Sequence, residues 1–445
     1  MTAAEHPSRL RYALLAVGTL NAFLLYLDRT CMGAITQSDS FQVELGLSKA
    51  EIGTLLSSFF FAYALGQVPG GWLADRFGTR KMLTIYIVLW SAFTALTGFV
   101  PVAGLGLLAG LSGLLLMRAG CGIAEAGAYP AMARTISRWF PIAQRARANS
   151  LVAGGGKLGN ALAFVITTAL IATLGDWRHV LWLYGALGLL LAVATWRIFS
   201  DSPEDHPGVN AGELALIRAD NHPSTAPVRT FPMRALLRHR GLWLLSLASL
   251  GANIGWAFLV TWLAPYLRET TWQLADGARV LSEREASLVT SGALFVGVAG
   301  MLCGGVWCDW CYRRFGALWG RRVPLLAGSL LGMLCYVTLP WVQHPAAVIA
   351  LCGLVAFSTD SMAPCFWSYC QDVGGRYVGA ALAWQNMWGN LGASLIAKIL
   401  PLIVATQAGG SDWTRGFLFC GSGFAMVFAT AWFIDARRSI DELAP

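Results

Sequence analysis

The chain has 445 residues, 56% of them hydrophobic and 13% charged, with a mean hydropathy of +0.56 and a formal net charge of +8. Charged residues make up about a quarter of a soluble protein. This composition therefore excludes soluble enzymes, disordered scaffolds and secreted disulfide domains, and it places the chain in a bilayer. The positive balance does not point to nucleic acid, because no basic stretch is interleaved with aromatics and no zinc-finger spacing occurs.

Taken in chain order, apolar windows long enough to cross a membrane lie near 12–36, 52–74, 82–101, 104–130, 148–174, 178–199, 241–267, 286–308, 323–342, 346–370, 377–405 and 413–435. Barrel strands would be shorter and alternating, so the windows predict an all-α membrane protein with twelve transmembrane helices. Residues Met1 to Arg11 lack a cleavable leader, and the first span is expected to be retained. Between the sixth and seventh windows lies a polar stretch with Pro203, Pro207, Pro223, Pro227 and Pro232, which reads as a linker without a core of its own. The expected units are thus 1–200, 201–240 and 241–445, two six-helix bundles and their connection.

An even number of spans puts both termini on one side. The loops on that side carry 22 Lys and Arg residues against 6 on the other, which predicts cytoplasmic termini by the positive-inside rule and explains the charge balance without a nucleic-acid partner. The ten cysteines fall mostly inside apolar windows and read as packing residues, with no metal or redox role expected of the lone Cys308–Cys311 spacing. Gly154-Gly155-Gly156-Lys157-Leu158-Gly159 fits a dinucleotide fingerprint on paper. No strand precedes it, so the glycines are expected to let helices approach closely. No cofactor is expected.

The two halves echo each other. Gly70-Gly71-Trp72-Leu73-Ala74-Asp75-Arg76-Phe77-Gly78-Thr79-Arg80-Lys81 has a looser copy from Gly304 through Asp309 to Gly316, and Gly156-Lys157-Leu158-Gly159 is repeated as Gly389-Asn390-Leu391-Gly392, at offsets of 234 and 233 residues. Duplicated six-helix units are found in transporters whose site lies between the repeats at mid-membrane.

The stretch from Gly70 to Lys81 resembles the signature loop of the major facilitator superfamily, and the resemblance covers the whole chain. Five further segments together resemble the anion:cation symporter family within it: Tyr26-Leu27-Asp28-Arg29, Arg118 through Glu125-Ala126 to Tyr129-Pro130, Arg138-Trp139-Phe140-Pro141, Thr261 through Leu267, and Asn386 through Gly392. That family includes bacterial sugar-acid importers and animal organic-anion carriers. The resemblance implies the major facilitator fold, an arginine at Arg29 that receives the substrate, and protonation at Asp28 and Glu125. It also implies a conformational role for the signature loop, with Asp75, Arg76 and Arg80 closing the inner gate.

The residues support an anionic guest independently. Asp28, Arg29, Arg118, Glu125, Lys157, Asp360 and Lys398 lie inside the windows. Each costs free energy there, about 2.5–3.5 kcal/mol for an Arg, Lys or Asp on insertion scales, so each calls for a paired or functional role. Four cations against three acids favour a negative guest, and Arg29 offers a planar fork that matches a carboxylate. Arg118 and Glu125, seven apart, share a helix face, and Asp28 is expected to pair with Arg118 in one state and take a proton in another. The six histidines all lie in loops or at helix ends, so proton coupling runs through the acids.

Asp360 lies 235 residues beyond Glu125, close to the repeat offset, and is expected to pair with Lys157 or to read a second polar group on the substrate. Lys398 also fits a side chain snorkelling to an interface. Tyr26, Tyr63, Asn253, Trp256, Trp384 and Asn386 are further candidates for lining the cavity, each equally readable as helix packing.

These observations predict a proton-coupled symporter, not an enzyme, that takes up a small organic carboxylate such as a hexonate, hexarate or hexuronate across a bacterial inner membrane, working as a monomer, with sodium as an alternative coupling ion. Two other readings remain open: an exporter or exchanger, including one for aromatic acids, and a receptor that binds the same ligand without moving it.

Overall fold

The computed structural model describes residues 7–100, 110–140, 142–218, 233–274, 277–374, 378–405 and 411–435. The predicted twelve spans appear, with their ends displaced by a few residues. In the first half they are α1 (Leu10–Ile35), α3 (Lys49–Phe77), α4 (Thr79–Thr97), the pair α5 (Gly110–Ala126) and α6 (Ala128–Trp139), α7 (Ile142–Leu174) and α8 (Trp177–Ile198). The short α2 (Asp39–Leu45) lies between the first two spans.

In the second half, α11 (Arg240–Thr261) continues into α12 (Leu263–Glu269). The long α13 (Glu283–Thr338) holds two spans joined at Gly316, whose φ of 72° is a conformation that glycine adopts without steric cost. The helices α14 (Pro345–Gly374), α15 (Val378–Val404) and α16 (Trp413–Ala431) complete it. A two-stranded antiparallel ribbon, β1 (Trp272–Leu274) and β2 (Gly277–Arg279), connects α12 to α13.

Among the described residues nine helical segments have both the length and the apolarity to cross a membrane. The other three fall short for visible reasons. Helix α4 carries Arg80 and Lys81 in its first turn, α5 is interrupted at Gly127 and begins next to 101–109, which lie outside the described residues, and α16 has 19 residues that include Arg415.

Glycine brings the helices of each bundle together. A Cβ on Gly159 would lie 2.2 Å from the Phe23 carbonyl oxygen, and one on Gly392 would lie 2.2 Å from that of Leu250, so α7 meets α1 as α15 meets α11. These are the glycines of the internal repeat, and the close approach is the reason for the repeated pattern. Proline does related work. Pro401 lacks the N–H that would bond the Ala397 carbonyl, and the Trp262 indole donates to that oxygen at 3.2 Å instead.

The linker is more ordered than its composition suggests. It forms the helices α9 (Ala211–Arg218) and α10 (Met233–Arg238), while 219–232, with Pro223, Pro227 and Pro232, lie outside the described residues. Glu213 of α9 is fully buried and accepts from the backbone N–H groups of Leu10 and Arg11, satisfying free donors at the start of α1, and it pairs with the Arg11 guanidinium at 3.2 Å. Asp201 likewise accepts from the Arg80 N–H at the start of α4. The linker is thereby tied to the first bundle.

The bundles meet along α1 with α11, α3 with α15, and α7 with α13. The described contacts lie in the halves of these helices distant from the linker. There Ser57 bonds Ser394 at 2.8 Å, Thr168 bonds Ser287 at 2.8 Å, and Gly33 presses on the Val260 carbonyl. At the helix ends Lys49 pairs with Glu269 at 2.7 Å and Arg268 with Asp39 at 2.9 Å. This surface is called the far side below.

The ten cysteines are all free thiols and nine are buried, in keeping with a packing role.

Candidate functional site

The charged residues collect where the C-terminal third of α1 faces α5 and α7. Arg29 of α1 is 8% exposed and donates to Glu125 Oε2 of α5 through Nη2 at 3.1 Å and Nε at 3.3 Å. Aromatic rings surround its guanidinium: the carbon centre lies 4.3 Å from the Tyr63 ring, 4.8 Å from Tyr26 and 5.4 Å from Phe59. A buried guanidinium keeps its charge, and π faces and a carboxylate are the partners that compensate its lost hydration.

Arg118 sits one shell away, 4.6 Å from Phe59, and donates weakly to the Arg29 carbonyl at 3.4 Å. Its Nε has no hydrogen-bond partner, and neither oxygen of the wholly buried Asp28 has one either. The expected Asp28–Arg118 bond is therefore not made in this conformation. The shared face of Arg118 and Glu125 holds, but Glu125 turns to Arg29, whose fork reaches it from the neighbouring helix, and Arg118 stacks on a ring instead.

A second pair crosses between the bundles. Lys157 Nζ of α7 bonds Asp360 Oδ1 of α14, both near the middle of their helices, and the ammonium also lies 5.8 Å from the Trp256 ring of α11. Pro364, four residues beyond Asp360, leaves the Asp360 carbonyl without its helical donor, so this point of α14 is polar in backbone as well as side chain. Tyr26 links the two pairs. Its ring packs under Arg29, and a Cβ on Gly156, beside Lys157, would lie 2.7 Å from it.

Tyr26, Tyr63, Trp256, Lys157 and Asp360 thus cluster with Arg29 and Glu125. The remaining lining candidates lie on α11 and α15 of the second bundle. Asn253 donates to the Ser249 carbonyl of its own helix at 2.9 Å, and the backbone carbonyl of Asn386 accepts from the Asn390 side chain at 2.8 Å. Trp384 packs edge-on to Trp243, 5.4 Å between centroids. Lys398 is exposed on α15, as snorkelling requires.

Of the gating candidates, the side chain of Asp75 lies outside the described residues. Arg76 stacks near Trp72 and Phe77, and Arg80 donates to the Trp196 carbonyl at 2.9 Å, so both are engaged within the first bundle.

Sequence reasoning missed Tyr129 and Phe59. Tyr129 meets Tyr26 edge-on at 6.0 Å, and its position four residues after Glu125, on the same helix face, was a readable signal. Phe59 looked like any apolar residue of the second window, and its two cation–π contacts depend on how α3 packs.

The family model of the Major Facilitator Superfamily matches residues 18–397. The chain belongs to that superfamily. It is a multi-pass membrane transporter rather than an enzyme. It is similar to the "Probable sulfoacetate transporter" of Cupriavidus necator, 29% identical over 97% of this chain and 95% of that one. It is also similar to the "Probable galactarate/D-glucarate transporter" of Escherichia coli K12, 30% identical over 82% of this chain and 80% of that one. The "D-galactonate transporter" of Escherichia coli O6:H1 is 27% identical over 98% of both chains. The fold is shared with a bacterial homolog of the human lysosomal transporter Spinster, solved in an inward-facing, unoccupied conformation, at a TM-score of 0.67 and 19% identity over 96% of this chain and 95% of that one. The superfamily's two-bundle architecture is the one observed.

Proposed function

We propose that this transporter takes up a small organic carboxylate of the sugar-acid type, a hexonate, hexarate or hexuronate, together with protons. It works across a bacterial inner membrane with both termini in the cytoplasm, and the units 1–200 and 241–445 rock about the 201–240 connection. The observation that carries the proposal is the Arg29–Glu125 pair, a guanidinium fork already closed on a carboxylate inside an aromatic wall, with the unpartnered carboxylate of Asp28 and the guanidinium of Arg118 beside it. A site that holds its own carboxylate has the shape and charge to hold a foreign one.

Exchange between the two supplies coupling. A proton on Glu125 removes the charge that retains Arg29, and the substrate carboxylate then takes the fork with two parallel hydrogen bonds. Asp28, buried without a donor, is a second place where a proton lowers the cost of burial. When the site opens to the cytoplasm, the protons leave, Glu125 recovers Arg29 and the substrate is expelled. The cycle needs no more than different affinities in its two states. With the bundles in contact on the far side, the conformation described corresponds to closure toward the periplasm in this reading. Relatives whose names include galactarate, D-glucarate, galactonate and sulfoacetate support an acidic substrate.

The test is uptake into proteoliposomes. Accumulation of a labelled sugar acid driven by an inward proton gradient, abolished by a protonophore, is the expected result. Accumulation that follows sodium instead, or release rather than uptake under that gradient, overturns the coupling or the direction. Thermal stabilisation by neutral or cationic compounds alone, with no acid effective, overturns the substrate class.

A further inference from the structure

Arg29–Glu125 and Lys157–Asp360 have the same construction. In each, a cation on an inner helix of the first bundle holds an acid at mid-membrane, and the acids Glu125 and Asp360 stand 235 residues apart, near the period of the internal repeat. Both pairs adjoin one aromatic wall. Arg29 stacks on Tyr26, while Gly156 packs against the same ring and Lys157 faces Trp256, itself edge-on to Phe60 at 6.3 Å. The described site is therefore a surface with two cationic points, each occupied by one of the protein's own carboxylates.

We infer that the substrate is a dianion with an acid group at each end, the first replacing Glu125 on Arg29 and the second replacing Asp360 on Lys157. This rests on the reading of Arg29 as the substrate clamp and extends it to the class of acid carried. The argument is one of charge. A monoacid that displaces Glu125 leaves Lys157 with Asp360, so the only charged bridge described in the middle of the bundle interface stays closed. A diacid replaces both carboxylates. If each displaced carboxyl takes a proton, the filled site has the same net charge as the empty one, and no uncompensated ion is buried.

The second replacement has a mechanical consequence, because Lys157 and Asp360 belong to opposite bundles. A diacid undoes the bridge between the bundles as it binds, whereas a monoacid does not. Lys157 is compact and three-pronged, a point charge that accepts a carboxylate or a sulfonate without demanding a planar fork. The two ends of the site thus differ in selectivity.

The experiment compares a six-carbon aldarate with the aldonate of the same chain length and stereochemistry, by calorimetry on the purified full chain in detergent. The expected result is at least a tenfold preference for the aldarate, with more protons taken up per aldarate than per aldonate when buffers of different ionisation heat are compared. Removing both charges with K157Q/D360N avoids stranding either one, and the expected effect is collapse of the aldarate-to-aldonate affinity ratio toward one.

If Lys157–Asp360 is a structural lock only, the double variant shifts both affinities together and the ratio persists, which overturns the inference while leaving the carboxylate reading in place. Equal affinity and equal proton uptake for the two acids in the wild type overturn it as well. If the wild type binds neither these nor other organic acids, the reading of Arg29 falls first, and this one with it.

Discussion

The two buried ion pairs differ in what they connect. Arg29–Glu125 joins α1 to α5 within one bundle, where rocking of the bundles as proposed leaves the partners unchanged. Lys157–Asp360 joins α7 to α14 across the interface between the bundles. In the proposed cycle the first serves as a charge reservoir with fixed geometry, while the second is made and broken with the conformation. Under that proposal similar chemistry acts as a binding element in one place and as a conformational element in the other, and the helix that carries the acid decides which.

Breaking the first pair has the largest expected effect. Arg29→Gln removes the fork and strands Glu125, and transport is expected to fall about a hundredfold or more, equivalent to about 3 kcal/mol. Arg29→Lys keeps the charge but loses the two parallel donors and is expected to recover only a small part, measured as initial uptake rate in proteoliposomes. Full activity of Arg29→Lys would show that a point charge suffices and that the two pairs are alike after all.

Breaking the second pair tests stability more than binding. Asp360→Asn alone leaves a buried ammonium unpaired, a change that costs about 3 kcal/mol in well-packed sites, whereas K157M/D360L removes both charges and is expected to restore most of that loss. Thermal unfolding of the two variants in detergent, monitored without ligand, gives the comparison. Equal melting temperatures would mean that the bridge contributes nothing to closure in this conformation.

Much of this was legible in the chain. Twelve apolar windows specified the spans because hydrocarbon leaves helices few alternatives. The repeated glycines could be read as contacts because nothing larger fits where α7 meets α1, and Lys157 with Asp360 could be paired because two opposite charges near mid-membrane have few other partners. The Arg29–Glu125 pair was harder to foresee. Sequence spacing puts Arg118 on the face of Glu125, but the choice between two arginines depends on how far α1 leans toward α5. The polar residues Asn253 and Asn386 were equally readable as lining or as helix packing, and Asn253 donates to the Ser249 carbonyl of its own helix. Composition cannot show whether an amide faces a cavity or its own helix.

The geometry that sets the two pairs beside Tyr26 depends on α7 lying close to α1. Gly159→Val places side-chain atoms against the Phe23 backbone, and overpacking of that kind costs about 1–3 kcal/mol. Gly154, on the same helix, has nothing within 4 Å of an added Cβ, so Gly154→Ala is expected to be neutral or to stabilise by up to about 1 kcal/mol through helix propensity. The contrast in melting temperature between the two variants separates helix contact from glycine content. If both lowered it equally, the close approach would not be what positions Lys157.

The smallest effect belongs to an ion pair between α2 and the first turn of α8, which serves as a reference for the buried ones. Glu44 of α2 accepts from the Arg178 guanidinium and from the Trp177 indole at 3.1 Å, and the Arg178 bond holds its carboxyl below the ordinary carboxylate range. A depressed folded value means that the unfolded chain binds the proton more readily. The stabilisation is therefore fully present above the ordinary glutamate value and is lost as pH falls through the lowered one. Because Glu44 is partly exposed, water and salt screen the pair, and Glu44→Gln is expected to lower stability by about 1 kcal/mol or less at neutral pH, with the difference shrinking in high salt and at acid pH. A loss as large as that of Asp360→Asn would mean that burial is not what separates these pairs, and the distinction drawn between the two mid-membrane bridges would lose its physical basis.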